Sequence, residues 1–438
     1  MDTERSVVPA VRSALAAACP ALSDGSSSDA VAGVVPSFVA SPASTSEASA
    51  LLRAAATAGL TVVPRGTGTG LSWGVPPSSC DLVVDLRSMD RVIEHAAGDL
   101  VARVQAGATI GQLASVLASA GQQLALDAPA DATVGGVVAT GTAGPRRFRY
   151  GAPRDLLIGL TVVRADGVVA HSGGKVVKNV AGYDIGKLFS GSQGTLGLIT
   201  EATFRLYPLP AAVAWVTGEF GVSDRAGAVA AVVSAAGSAL VPSAVELDWP
   251  GGPQRALRVG VLLEGTSSGV AERAKQMSEL LAAAGGSVAV AEVPPARWGQ
   301  LPSPSMVIRV SFWVSALGSV LEALATAGAD AGVQPAVSGP AGAGALYACL
   351  DPATGHDAAA RFVTALRERV FGVGGPVGVG GPAGSAGPRG SVAVLAAPPP
   401  VLAAAGAYGP VPGFALMRAV KDQFDPDHRM FPGRFPAA

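Results

Sequence analysis

The sequence predicts an α+β protein in two domains that meet near residue 210, and three observations carry that reading. At 438 residues the chain exceeds one ordinary domain, and each half is long enough to bury its own core. From Val34 to about Pro210 strand-like and helix-like segments alternate. Beyond Pro208 and Pro210 short strand and helix patterns recur at wide spacing, the rhythm of an α+β domain with antiparallel pairing.

The elements follow in order. Residues 1–33 read as a helix and a Ser-rich turn, Ser23 to Asp29, ahead of the first domain at 34–210. Ser46-Glu47 opens a helix to about Thr57, Gly59 ends it, and Leu60 to Val63 is a strand. Asp81 to Leu86 and Val101 to Ala106 read as strands, Ile110 to Ala120 as a helix, and Leu156 to Val163 as a strand entering a turn. In the second domain, 211–408, Leu257 to Glu264 and Ser305 to Val314 are strands, while Val270 to Ala284 and Leu317 to Ala327 are helices. The stretch 372–390, rich in Gly and Pro, reads as a flexible loop, and the tail 409–438 holds a helix from Ala415 to Phe424.

Composition narrows the function classes. Hydrophobic residues make up 49% and charged residues 14%, which excludes a polar disordered chain. A net charge of −1 argues against nucleic acid as a partner, because binding phosphate backbones needs a basic face. Cys19, Cys80 and Cys349 lie far apart with no CxxC pair, so no metal or iron–sulfur cluster is expected on this chain. The acidic start, Met1 to Arg5, does not read as a secretory signal, and no segment has the sustained apolarity of a membrane span. The expectation is a soluble cytoplasmic protein with reduced thiols.

Three glycine clusters sit where strands end or turns begin. The first, Pro64-Arg65-Gly66-Thr67-Gly68-Thr69-Gly70, directly follows a strand. Glycines there let backbone N–H groups approach a diphosphate, and threonine hydroxyls add donors. A ligand-free glycine turn fits this cluster equally well. Asp85 stands near the spacing of a Rossmann ribose-binding acid, but a dinucleotide fingerprint must open a helix. Leu71 to Pro77, with Pro76 and Pro77, cannot continue as one, and no Lys-Ser/Thr follows to make a P-loop. The second cluster runs from Ala132-Thr133-Val134-Gly135-Gly136 through Thr140 and Gly144 to Gly151, and the third spans Ser190 to Ile199 and includes Gly197. Ser192 lacks the first glycine of a nucleophile elbow, so a serine hydrolase is a poor reading.

Together with Arg149-Tyr150-Gly151-Ala152-Pro153-Arg154-Asp155-Leu156 and Ala165-Asp166-Gly167, these clusters resemble the vanillyl-alcohol-oxidase type of FAD-binding family. Lys175 to Asp184 and Lys187-Leu188-Phe189 are similar to its glycolate oxidase and D-lactate dehydrogenase branch. Leu416-Met417-Arg418, Phe424-Asp425-Pro426 and Phe431-Pro432-Gly433-Arg434-Phe435 resemble the FAD-binding E subunit of glycolate oxidase. The resemblance implies a two-part FAD domain, an α+β cap with an antiparallel sheet, and a C-terminal tail returning to the FAD domain. It implies that the first loop holds the FAD pyrophosphate, with Pro64, Arg65, Gly66, Thr67, Gly68, Thr69 and Gly70. Thr133, Val134, Gly135, Gly136, Thr140, Gly144 and Gly151 would follow the cofactor onward to its ring, Gly197 and Ile199 would meet the adenosine side, and Arg434 would arrive with the tail. Lys178, Asn179 and Tyr183 match the motif, with loop shaping as an equal reading. No histidine stands in the first or second cluster, so FAD held without a covalent tether is expected.

Oxidising a 2-hydroxy acid needs a base for the hydroxyl proton and cations for the carboxylate. Catalytic relatives supply these with a His-x-Gly-Asp-Gly-Asn-type motif. Here His95, His171, His356 and His428 lie outside any such motif, and the catalytic residues stay unassigned. The resemblance therefore implies an accessory flavin subunit of a glycolate/D-lactate-type dehydrogenase complex. Its partners would be a catalytic flavin subunit and an iron–sulfur subunit, and it would meet the inner face of the membrane only through them. Two alternatives stay open: a self-sufficient FAD oxidoreductase using His428 or Arg434, and a structural subunit that has lost its flavin. Glu246, Asp248, Glu264 and Arg309 are expected in structural ion pairs.

Overall fold

A computed structural model describes residues 2–175, 184–221, 223–251, 256–301, 305–371, 390–411 and 413–434. The expected roles of Lys178, Asn179 and Tyr183 and the loop at 372–389 lie outside them. The chain divides into two compact units: residues 1–143, 151–209 and 413–438, and residues 144–150 with 210–412.

Among the described residues the first unit holds two larger sheets and a two-stranded pairing of Gln122–Gln123 with Tyr207–Pro208. The strands Phe38–Ala40, Leu82–Asp85 and Val62–Arg65 pair in parallel, and Leu22–Asp24 adds an antiparallel edge. Leu82 to Val84 are an uninterrupted apolar run because the central parallel strand is buried throughout. The helix Thr45–Thr57 packs against the strand Leu157–Val163. Ser44 accepts from the Glu47 amide at 3.2 Å, Glu47 accepts from the Ala43 amide, and Ala48, Leu51, Leu52 and Ala55 form its buried stripe. A second, antiparallel sheet has the order Val92–Ala96, Val101–Gln105, Leu198–Arg205, Leu157–Val163, Val169–Gly173. The third glycine cluster feeds the strand at Leu198 in that sheet.

The expected boundaries shift in places. Residues 1–33 do not form a separate segment. The helix Asp2–Ala18 packs on the helix Thr45–Thr57, with Leu15 fully buried, and Leu22–Asp24 pairs into the first sheet. The tail joins the first unit from Gly413, and its helix runs Phe414–Phe424. There Val62 donates to the Arg429 carbonyl at 2.8 Å and Phe431 donates back to the Val62 carbonyl at 2.8 Å, so the tail extends the parallel sheet beside the strand before the first loop.

The second unit is built on an eight-stranded antiparallel sheet among the described residues. Its order is Ser287–Ala291, Ala212–Phe220, Leu257–Gly265, Ala244–Trp249, Ala336–Gly339, Ala345–Cys349, Val307–Phe312, Gly390–Ala396. Period-two alternation sends Val245, Leu247, Val259, Val261 and Leu263 into one core with residues from the helices Arg225–Ala236, Ser267–Ala283, Leu317–Ala331 and His356–Phe371. Residues 144–150, expected in the first domain, belong here because Phe148 packs against this core. Tyr150 donates to Glu264 at 2.9 Å, and Arg146 lies 3.9 Å from the same buried carboxylate. Burial and the neighbouring Glu264 charge both push the Tyr150 phenol up. The Gly299 amide donates to both Glu246 oxygens, and Arg297 and Arg258 face Asp248.

Candidate functional site

A cavity of about 950 Å³, part of it continuous with solvent, opens in the first unit where the three glycine clusters converge. Each wall follows from its local sequence. The strand Val62–Arg65 ends at Pro64-Arg65, and the following glycines turn in a loop closed by the Leu71 amide on the Gly68 carbonyl at 3.0 Å. No helix forms there, in keeping with Pro76 and Pro77. Among the described residues, the amides of Thr67, Gly68, Thr69 and Gly70 donate to no protein acceptor and stand open to an anionic ligand.

The second cluster opens the helix Val134–Thr140, which Thr133 caps by accepting from the Gly136 amide at 3.3 Å. The loop and this helix start approach so closely that a Cβ on residue 66 would lie 2.1 Å from Thr133 Oγ1. Only glycine fits that contact. In the third cluster Gly194 has φ of +77°, and a Cβ on it would meet Pro64 at 3.2 Å and Phe431 at 3.8 Å.

Two guanidiniums stand at the walls. Arg65 is held by Asp29 at 3.1 Å and Asp85 at 3.1 Å, and its buried Nε has no hydrogen-bond partner. Burial alone would raise the Asp85 carboxyl, but the bonds from Arg87 and the charge of Arg65 outweigh it and hold it below the usual range. Asp85 also caps the short turn Leu86–Ser88, so the acid that mimics a Rossmann fingerprint is a structural anchor. Arg434 donates to the Leu71 carbonyl at 2.8 Å and to Gln193 Oε1 at 3.4 Å, with its guanidinium 4.1 Å from the Phe431 ring centre.

The tail is fixed by a buried charge pair. Lys421, 3% exposed, donates to the Thr195 carbonyl at 2.7 Å and the Met430 carbonyl at 3.1 Å, and pairs with fully buried Asp425. Asp425 in turn accepts from the amides of Arg429 at 3.0 Å and Met430 at 2.7 Å. Burial pulls the Lys421 ammonium below its ordinary value, and Asp425 opposes that shift.

Of the predicted residues, Pro64, Arg65, Gly66, Gly68, Thr69, Gly70, Thr133, Gly135, Gly136, Thr140, Gly197, Ile199 and Arg434 line this cavity. Thr67, Val134, Gly144 and Gly151 do not. Thr67 instead donates to the Asp131 carbonyl at 2.8 Å, Val134 is fully buried in its helix, and Gly144 belongs to the second unit. Sequence reasoning missed Leu71, Trp73, Gln193, Gly194 and Phe431 as walls. Trp73, an indole directly after a glycine loop, was the readable signal among them.

The lining fits FAD. Loop amides, threonine hydroxyls and Arg65 match a diphosphate, while Leu71, Trp73 and Phe431 offer apolar surface to flat rings. Comparisons with known proteins agree. Residues 36–173 match the model of an FAD binding domain. Glycolate oxidase subunit GlcD of Bacillus subtilis (strain 168) is 31% identical over 219 residues, 49% of this chain and 46% of that protein. A probable mitochondrial D-lactate dehydrogenase of Danio rerio is 39% identical over 178 residues, 40% of this chain and 36% of that protein. The chain thus spans less than half the length of these curated relatives. Among solved structures, p-cresol methylhydroxylase with substrate bound superposes with a TM-score of 0.74 at 18% identity, covering 98% of this chain and 96% of that one. A vanillyl-alcohol-oxidase-type flavoprotein of Myceliophthora thermophila C1 gives 0.63 at 17% identity, covering 91% and 79%. The chain binds FAD and has the vanillyl-alcohol-oxidase-type fold, an FAD-binding part with a returning tail and a second part built on an antiparallel sheet.

Proposed function

We propose that this FAD-binding chain is an FAD-dependent oxidoreductase subunit that carries its flavin without a covalent tether inside a cytoplasmic 2-hydroxy acid dehydrogenase complex. It would pass electrons or complete the assembly beside a catalytic flavin subunit and an iron–sulfur subunit. The names of the curated relatives, a glycolate oxidase subunit and a D-lactate dehydrogenase, support the substrate class. Among the described residues no helix is long and apolar enough to cross a membrane.

The observation that carries the reading is the chemistry of the cavity lining. Among the described residues its polar side chains are the guanidiniums of Arg65 and Arg434, the hydroxyls of Thr69, Thr133, Thr140 and Thr142, the amide of Gln193 and the indole N–H of Trp73. Such groups bind and orient, and the set includes no imidazole or carboxylate of the kind that takes a hydroxyl proton. The histidines are engaged elsewhere. His95 meets Gln122 at 2.9 Å, His171 meets Thr161 at 3.1 Å, His428 meets Asp422 at 2.9 Å, and His356 stands exposed at the start of the helix His356–Phe371. Bound FAD supplies reversible two-electron chemistry at its ring system. The chain's own residues anchor its diphosphate and shield its rings.

An anaerobic titration tests this. Glycolate or D-lactate added to the FAD-loaded chain is expected to leave the flavin absorbance unchanged, while dithionite bleaches it. Bleaching by either acid at enzyme-like rates would instead establish a self-sufficient oxidoreductase.

A further inference from the structure

The C-terminal segment brings Phe431 and Arg434 to the cavity wall, yet the helix before them barely buries itself. Ala415 to Ala419 of the helix Phe414–Phe424 are exposed, Leu416 by 71%. Among the described residues, the buried side chain of that helix is a lysine. Lys421 spends its three protons on Asp425, the Met430 carbonyl and the Thr195 carbonyl. The last of these belongs to the third glycine cluster, next to Gly194, whose backbone abuts Pro64 and Phe431. One ammonium therefore ties the tail segment to a cavity wall that the tail itself does not form.

A buried ion pair is a poor stabiliser compared with apolar packing of the same volume, because both charges give up water. What it does supply is a fixed geometry, with every donor and acceptor assigned. Asp425 completes that geometry by holding the amides of Arg429 and Met430, which sets the direction of the segment that carries Phe431 and Arg434.

We propose that the Lys421–Asp425 pair is a positioning clamp that couples docking of the C-terminal segment to FAD binding. The clamp aligns the third glycine cluster with Phe431 and Arg434, so the cofactor and the docked tail favour each other. The proposal rests on the assignment of FAD to this cavity. Coupling of this kind is reciprocal: whatever the tail adds to FAD affinity, FAD adds to tail docking.

The test measures both directions on the full chain. FAD is titrated into apo protein by fluorescence quenching, and amide hydrogen exchange of Met430 and Phe431 is followed with and without FAD. In wild type, FAD is expected to slow exchange at these amides by about tenfold or more. Lys421→Met is expected to raise the FAD dissociation constant by about tenfold or more and to remove most of that protection. A merely structural pair would lower the melting temperature of the apo variant and leave FAD affinity and FAD-dependent protection within about twofold of wild type; that result overturns the clamp. If Lys421→Met does not fold, wild type decides, since FAD binding without slowed exchange at Met430 and Phe431 also overturns it. A wild-type chain that takes up no FAD overturns the cavity assignment itself and the clamp with it, a failure distinct from intact FAD binding without coupling.

Discussion

Gly66→Ala is expected to weaken FAD binding by about 10- to 100-fold, the equivalent of about 1–3 kcal/mol of overpacking. The new methyl group would stand 2.1 Å from Thr133 Oγ1, 2.9 Å from its Cγ2 and 3.0 Å from its Cβ. Rotating the threonine relieves the first two contacts and not the third, so the first loop must move away from the start of the helix Val134–Thr140. That movement opens the seam on which the diphosphate amides converge. Adding Thr133→Ala should restore part of the affinity, because it removes the two worst contacts. Recovery stays incomplete, since the helix loses its cap at a cost of about 1 kcal/mol. Fluorescence titration with FAD gives the affinities, and a melting curve of each apo protein separates loss of the site from loss of the fold.

Asp425→Ala is expected to cost about 3–5 kcal/mol of stability, the range for stripping one partner from a buried charge pair. The substitution leaves Lys421 with its charge buried and deprives the amides of Arg429 and Met430 of their acceptor. Burial already pulls the ammonium below its ordinary value, so losing the carboxylate favours the neutral amine further. Asp425→Asn should cost less, because one side-chain oxygen remains to accept from the backbone. A lowered urea midpoint in the order wild type, Asn, Ala checks the argument.

The two sites differ in how far the sequence reveals them. Glycine clusters are legible because a close backbone approach leaves its mark in residue type, as at Gly66 and Gly194. The non-helical course after Gly70 was equally legible, since Pro76 and Pro77 forbid the alternative. Asp85 was ambiguous by spacing, and only its bonds to Arg65 and Arg87 reveal an anchor. The clamp was invisible for a simple reason. Lys421 and Asp425 stand four residues apart around a helix end, a spacing that ordinarily marks a solvated face. Nothing local says that the Thr195 carbonyl, 226 positions earlier, will meet the ammonium. Residues 144–150 posed the same difficulty. They lie between Thr142, a cavity residue, and Gly151, and Phe148 reads as part of the same run until its packing partners, Val245 and Gly342, are known. Long-range burial, rather than local pattern, decides such segments.

The central claim is that three glycine clusters and a returning tail hold one FAD without a covalent tether. Its most direct test is the visible absorption spectrum of the purified full chain, followed by acid or heat release and identification of what leaves. The structure predicts a yellow protein that gives up about one FAD per chain on denaturation and takes it back on renaturation. A colourless protein that acquires no flavin band with excess FAD would contradict the account, and a flavin that stays with the denatured chain would contradict the non-covalent assignment.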